Sequence, residues 1–475
     1  MSLPVLRIAV VGHTNTGKTS LLRTLTRDAR FGEVSDRPGT TQHVEGTQLL
    51  VGDEPVAELY DTPGLEDSMG LMELIEADGQ GGRTRRAERI DRFLESAEAR
   101  GSGGRFMQEA KALRQVRQRD VALYVIDARE PVLGKYRDEL ELLSYCGRPI
   151  VPVLNFVASD ASRESAWREA LRKLGLHAIA AFDTVAVDEA SERHLYEKMG
   201  TLLDEFRATI DALVEDRQRR RRELIVAGAR IIAELLVDAA AAAVHAPVEP
   251  ADALRQAAAR LQDQLRDRER ACQRQLMERF DFAADDCRAV AAPLEAGRWQ
   301  HDLFNEETLR QAGVRGGGGA GAGAAIGLGL DVALGGLSLG AGTAIGAILG
   351  ATFGAGSTRL RQLIDRVRGK VEVRCADATL DILARRQVEL VQKLLHRGHA
   401  AQTPVDLPAS ASALTGMTGR RLPRPLRQAR EHPGWSGIEL DRDDPPWRGS
   451  DTRRRAAVDA LARAVERWIV PTQSA

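Results

Sequence analysis

The sequence predicts an α/β domain built on a parallel-rich sheet, followed by a mainly α-helical C-terminal domain. Three observations carry this. Short apolar runs alternate with helical periodicity up to about residue 205. A glycine-rich turn joins the first run to the first helix. From about 190 to 313 the pattern is helical and rich in Ala, Arg, Leu and Glu. Basic and acidic residues balance at 67 and 68 in 475, a net charge of -1, which argues against a protein built mainly to coat nucleic acid. With 43% hydrophobic and 28% charged residues a packed core is available. Cys146, Cys272, Cys287 and Cys375 lie far apart with no CxxC pair, so neither a disulfide framework nor a cysteine zinc site is expected. They read as reduced thiols, and with no leader pattern before the first strand the expected location is cytoplasmic.

Residues 5–11, VLRIAVV, read as a buried strand; 56–60, 121–127 and 149–155 read as three more, with a further strand at 178–182. Helical patterns fall at 105–118 and 136–145. Asp61 and Asn155 stand further apart than a minimal domain of this kind needs, and the surplus lies at about 66–104. Within it, 83–100 is bracketed by Gly79, Gly81 and Gly82 and by Gly101, Gly103 and Gly104. That segment reads either as a hinged helix relaying the state of the site or as a solvated basic decoration.

The remaining chain divides into 206–400 and a Pro/Arg-rich tail, 401–475, with a last helix near 451–469. In 224–244, Arg230, Glu234 and Asp238 recur every fourth residue and mark the polar stripe of an amphipathic helix rather than a membrane span. Arg217 and Arg219 to Arg222 form a basic run, read as a solvated helix face or as a contact for anionic lipid or nucleic acid. Sixteen of the residues 316–356 are Gly, many spaced by four, which suits close helix–helix contact. The expectation is a glycine-zipper hairpin with Asp331 at its turn, inserting in or contacting the inner membrane, or buried within the domain; a flexible linker is the third reading. VEVRC, 371–375, reads as a strand and 377–396 as a helix.

The segment from Gly12 to Thr19, GHTNTGKT, follows the first strand and opens a helix. Its glycines let backbone N–H groups wrap phosphates, and the helix N-terminus adds partial positive charge. Lys18, one of only seven lysines, would reach the β- and γ-phosphates, and Thr19 would ligate Mg²⁺. Gly12, Asn15, Thr16, Gly17, Lys18, Thr19 and Ser20 are the candidate phosphate-binding residues. Asp61-Thr62-Pro63-Gly64 closes the strand 56–60, where the Asp61 carboxylate can hold Mg²⁺ and the Gly64 N–H can sense a γ-phosphate. Thr41, after Arg37-Pro38-Gly39-Thr40, can add its hydroxyl to Mg²⁺ when a γ-phosphate is present.

GHTNTGKT, PGTT and DTPG, in this order and spacing, resemble the Era/TrmE branch of the bacterial P-loop GTPases (TRAFAC class), over about residues 5–185. The order of the parts also resembles a bacterial family that joins such a domain to a C-terminal domain of unknown function. The resemblance implies a GTP/GDP switch and GTP hydrolysis with Mg²⁺; a nucleotide-gated membrane or scaffold module with negligible hydrolysis and a ribosome-assembly GTPase are the alternatives, and an unidentified protein partner is expected. The resemblance also implies a K⁺ bound with help from Asn15. Such a cation would offset transition-state charge, so Lys18, Asn15, Thr41 and Gly64 are the catalytic candidates. Leu65 stands where Ras-like enzymes carry Gln, a substitution typical of the branch. Guanine reading in the family uses Asn-Lys-x-Asp; here Asn155 matches, Phe156 replaces Lys, and Ala158 replaces the acceptor Asp. Asp160 comes two residues late, and Asp183-Thr184 marks the later base-contacting segment.

Overall fold

A computed structural model describes residues 3–27, 45–77, 83–96, 99, 104–185, 189–247, 251–282, 294–295, 298–299, 330–334, 337–338, 370–397, 422–438 and 451–470. The chain forms two compact units: Met1–Arg221 with Leu395–Gln402, and Arg222–Leu394 with Thr403–Ala475.

In the first unit the strands are β1 (Leu6–Val11), β2 (Glu45–Val51), β3 (Glu54–Asp61), β4 (Val121–Asp127), β5 (Ile150–Asn155) and β6 (Ala180–Ala181). They form one sheet in the order β2-β3-β1-β4-β5-β6. All neighbours are parallel except β2 and β3. The apolar runs are continuous because both faces are covered. Leu6, Ile8, Val10, Val121, Leu123 and Val125 enter one core. The alternate residues Ala9, Val11, Ala122, Tyr124 and Ile126 enter the other. In register, Val10 lies beside Asp61, Val11 beside Tyr124 and Asp127 beside Asn155. The glycine-rich turn, Asp61 and Asn155 therefore emerge at the same carboxyl edge, where ligands bind open α/β sheets.

The helices are α1 (Lys18–Thr26), α2 (Ser68–Ala77), α3 (Arg83–Glu95), α4 (Met107–Gln118), α5 (Gly134–Tyr145), α6 (Glu164–Lys173) and α7 (Glu189–Gly200). The described part of 83–100 is not merely a solvated decoration, because it buries apolar side chains. Leu71, Met72 and Ile75 of α2 and Ile90 and Phe93 of α3 are buried in the same core as Val11 and Ile126. Phe93 meets Phe106 edge to face at 6.3 Å, and Arg117 Nε donates to Asp91 at 2.8 Å. Arg114 ties α4 to the carbonyls of Leu94 and Ala99 at 2.9 and 3.2 Å. The bracketing glycines other than Gly104 lie outside the described residues.

Helix α8 (Arg207–Ala241) starts in the first unit and ends in the second. The basic run 217–222 is partly a solvated face, with Arg219 and Arg222 exposed, and partly paired within the protein. Arg217 is buried, donates to the Leu25 carbonyl at 2.9 Å and pairs with Glu192 at 3.3 Å. Arg219 and Arg220 both pair with the buried Asp216, and Arg221 donates to the Leu395 carbonyl.

The second unit adds β7 (Ala243–Pro247), α9 (Ala251–Arg279), the short strands β8 (Leu294–Glu295) and β9 (Arg298–Trp299), β10 (Leu330–Leu334), β11 (Leu337–Ser338) and β12 (Lys370–Cys375). It continues with α10 (Asp377–His396), α11 (Arg424–Arg430) and α12 (Thr452–Ile469). Its antiparallel sheet runs β11-β10-β12-β7. Two expectations change here. The helix predicted over 224–244 stops at Ala241, and Val244 instead pairs with Val373. Asp331 is not at a turn between helices: it lies inside β10, opposite Arg374. The alternation Leu330, Val332, Leu334 is a strand period, and glycine-rich flanks are poor helix formers. The rest of 316–356, apart from β10 and β11, lies outside the described residues. No helix among the described residues is long and apolar enough to cross a membrane. Burial pushes the Cys146 and Cys272 thiols up to about 12, so both are inert at neutral pH.

Candidate active site

The loop between β1 and α1 is shaped for close approach. Gly17, with φ 94°, caps α1, and a Cβ there would lie 2.3 Å from Asn155 Nδ2. A Cβ on Gly64 would lie 2.9 Å from the Thr14 backbone N, so the two segments touch with no room for a side chain. Lys18 is buried, with its ammonium donating to the carbonyls of Gly12 at 3.2 Å and His13 at 2.8 Å. Burial lowers its pKa, and Asp61, Glu139 and Glu66 pull in the opposite direction. Thr16 is buried, with its hydroxyl on the His13 carbonyl, and Ser20 lies one residue beyond Thr19 in the first turn of α1. Asn15 is exposed at the tip of the loop with φ 61°.

Thr19 Oγ1 donates to Asp61 Oδ2 at 2.6 Å, joining the start of α1 to the end of β3. An alcohol and a carboxylate oxygen are hard ligands of the kind Mg²⁺ takes, and Mg²⁺ needs few protein ligands beside phosphates and water. No group of three His, Cys, Asp or Glu converges among the described residues. Thr41 and its neighbours lie outside the described residues. The Leu65 side chain is fully buried, and its N–H donates to the Gly12 carbonyl at 3.3 Å.

Asn155 is the keystone of the far side. Its Nδ2 donates to the Thr16 carbonyl at 3.0 Å. Its Oδ1 accepts from the Phe156 N–H at 2.9 Å and from the Thr184 N–H and hydroxyl at 3.0 and 3.1 Å. The loop after β5 and the segment after β6 are thus both fastened to the glycine loop. Phe156 has φ 57°, and the Arg129 guanidinium stands 4.0 Å over its ring while binding Asp127 through Nε and Nη2 at 2.9 and 2.6 Å. Asp160 is exposed.

One network has no counterpart among the sequence expectations. Glu139 of α5 is fully buried, and its Oε2 accepts from the Tyr124 hydroxyl at 2.7 Å. Its Oε1 lies 2.9 Å from His13 Nδ1, which also lies 2.7 Å from the Leu65 carbonyl. Lys135 Nζ lies 3.0 Å from His13 Nε2. Lys135 can only donate, so Nε2 accepts and Nδ1 carries the proton toward Glu139 and Leu65. The glycine loop is thereby bonded to the residue that follows DTPG. The signal was present: Tyr136, Leu140 and Leu143 form the apolar stripe of α5, and Glu139 falls on that stripe. Glu139→Ala strands the buried Tyr124 hydroxyl, at a cost of about 1–3 kcal/mol. A urea midpoint unchanged from wild type would show the network to be dispensable.

Fold and site together define a P-loop GTPase domain. Residues 7–156 match the family described as 50S ribosome-binding GTPase, whose members hydrolyse GTP. Residues 168–463, more than half of the chain, match the family described as a domain of unknown function (DUF3482), and the chain belongs to that family. The tRNA modification GTPase MnmE of Synechococcus elongatus is 41% identical over 70 residues, covering 15% of this chain and 14% of MnmE. GTPase Der of Myxococcus xanthus is 26% identical over 171 residues, covering 35% of this chain and 30% of Der. The chain thus spans less than a third of the length of either relative. A structure of Aquifex aeolicus Era bound to GDP and aluminium fluoride is 19% identical, covers 42% of this chain and 57% of its own, and has a TM-score of 0.31, too distant to support any inference.

Proposed function

We propose that this chain is a nucleotide switch that hydrolyses GTP to GDP and phosphate with Mg²⁺, and that K⁺ stimulates its turnover. The observation that carries the reading is the convergence of the buried Lys18 with the Thr19–Asp61 pair at the mouth of the glycine loop. Lys18 and the loop N–H groups hold the β- and γ-phosphates and offset charge that grows as water attacks in line. Thr19 and Asp61, with Thr41 when a γ-phosphate is present, would hold Mg²⁺. Mg²⁺ held there would neutralise part of the phosphate charge. Gly64, lying against Thr14, would report the γ-phosphate through its N–H. Leu65 is buried and cannot orient water, so another charge would have to stimulate turnover, and a K⁺ held with help from Asn15 at the exposed tip of the loop would supply it.

The test is hydrolysis of GTP and of ATP by the full chain, in KCl and in NaCl. GTP-selective turnover that is faster in KCl is the expected result. Equal turnover of ATP would remove guanine from the proposal, and equal rates in the two salts would remove K⁺.

A further inference from the structure

In the family pattern guanine is read by a carboxylate three residues after the Asn, and here that position is the methyl side chain of Ala158. A carboxylate from another segment is bonded to the backbone at that position. Asp183, in the segment after β6, is buried with 6% of its surface exposed, and its Oδ2 accepts from the Ala158 N–H at 3.1 Å. Its Oδ1 accepts from the Val185 N–H at 2.9 Å. The next residue, Thr184, is fixed to Asn155 through its N–H and hydroxyl, and its carbonyl accepts from the Thr24 hydroxyl of α1 at 3.3 Å. The same Asn155 holds the glycine loop through Thr16. Asp183 therefore sits in a frame tied at both ends to the phosphate-binding elements.

We propose that Asp183 supplies the guanine-reading carboxylate of this chain, in place of the one that Ala158 lacks. The inference rests on the guanine-nucleotide reading above and names the residue that confers it.

The chemistry follows from the groups. Guanine presents N1–H and an N2 amino group side by side, both donors. Adenine presents N1 as an acceptor, which faces a carboxylate lone pair unfavourably. Asp183 accepts from backbone N–H groups at both oxygens, so base N–H groups would join or displace bonds that its carboxylate already makes. The backbone bonds fix its orientation before the base arrives, which is what a specificity group needs. The stacked Arg129 and Phe156 close the neighbouring wall, with Phe156 beside Gly17: its Cζ is 3.5 Å from where a Gly17 Cβ would stand. Asp160 is the competing acid, but it is exposed and two residues beyond Ala158.

The experiment displaces a fluorescent GDP from the full-length protein with GDP, IDP, XDP and ADP, using wild type, Asp183→Asn and Asp160→Asn. Wild type is expected to prefer GDP to ADP and to bind IDP, which lacks the amino group, about 10-fold more weakly than GDP. Asp183→Asn is expected to lose about 10–100-fold in GDP affinity and to gain XDP binding, because the amide can donate to the xanthine C2 carbonyl. Asp160→Asn keeps the wild-type order. A folded Asp183→Asn protein with unchanged base preference would overturn the inference, as would a switch produced by Asp160→Asn. If Asp183→Asn does not fold, the wild-type pair decides: equal binding of IDP and GDP overturns it. Tight, base-blind nucleotide binding overturns this inference alone and leaves the phosphate site intact. No binding of any nucleotide overturns the proposed function as well.

Discussion

Lys18→Ala is expected to lower GTP turnover by about 10²–10³-fold, the loss typical of removing one preorganised donor from a developing negative charge. The same substitution is expected not to lower Tm. Burial lowers the pKa of Lys18 in the folded chain, even though Asp61, Glu139 and Glu66 oppose the shift. The sign matters. A lysine whose folded pKa lies below its unfolded value holds its proton less tightly when folded. Below the folded pKa, where the ammonium is charged in both states, its burial subtracts from stability. Removing the side chain relieves that cost, while the carbonyl of Gly12 keeps the Leu65 N–H as a partner. Activity and stability therefore part company at this residue. Measured together, turnover and thermal unfolding separate two meanings of a dead variant. Lost turnover with an unchanged or raised Tm identifies Lys18 as phosphate-binding. Lost turnover with a large fall in Tm would make it a structural residue, and unchanged turnover would remove the nucleotide site from the glycine loop.

What was legible in the sequence was local or strongly periodic. The strands β1, β3, β4 and β5 announced themselves because burial on both faces makes their apolar runs unbroken. The glycine loop was legible because its chemistry is carried by consecutive residues, and DTPG because it closes a strand at the same sheet edge. Asn155 reads in the sequence as a base-site residue; in the fold it fastens Thr16 and Thr184 across the site.

What was hidden depends on partners far along the chain. Glu139 meets His13 across 126 residues, and Asp183 meets the Ala158 N–H across 25. The edge strand β7 follows an alanine-rich helix and has no strand signal of its own; it exists because β12 pairs with it. Asp331 reads as a helix-capping residue only when the alternation around it is ignored. The polar stripe Arg230, Glu234, Asp238 does pair within the helix, Arg230 with Glu234 at 3.5 Å, but its members differ in exposure. Arg230 is exposed and lies near Glu234 and Asp459, whereas Asp238, one turn beyond Glu234, is buried.

Asp238→Ala is therefore expected to be among the most destabilising single changes in the second unit. Asp238 Oδ1 accepts from Arg454 Nη2 of α12 at 2.7 Å and from the Gly437 N–H at 3.0 Å, while Oδ2 accepts from Arg268 Nε of α9 at 2.8 Å. One carboxylate thus joins α8, α9, α12 and the turn around residue 437. The turn is held again from both sides: Arg454 Nε donates to the Trp435 carbonyl at 2.9 Å, and Trp435 Nε1 donates to Asp451, which also accepts from the Arg453 N–H at the start of α12. The Asp238 and Arg454 side chains are only 5% and 7% exposed, so water cannot replace a lost partner. Removing the carboxylate leaves two guanidinium groups short of their counter-charge, and breaking a buried pair in this way costs about 3–5 kcal/mol. Asp238→Asn keeps the shape and an acceptor for the Gly437 N–H, so its loss should be smaller. The double change Asp238→Leu with Arg454→Met removes both members of the closest pair and should recover part of the single-mutant loss, because the pair's net contribution is modest even though each half alone is costly. Calorimetric unfolding of the three variants checks the ordering. If Asp238→Ala unfolds with the wild-type transition, the network is held in place by the surrounding apolar packing rather than by this carboxylate. In that case the attachment of 424–469 to the helical unit rests on buried side chains such as Leu426, Leu461 and Val465.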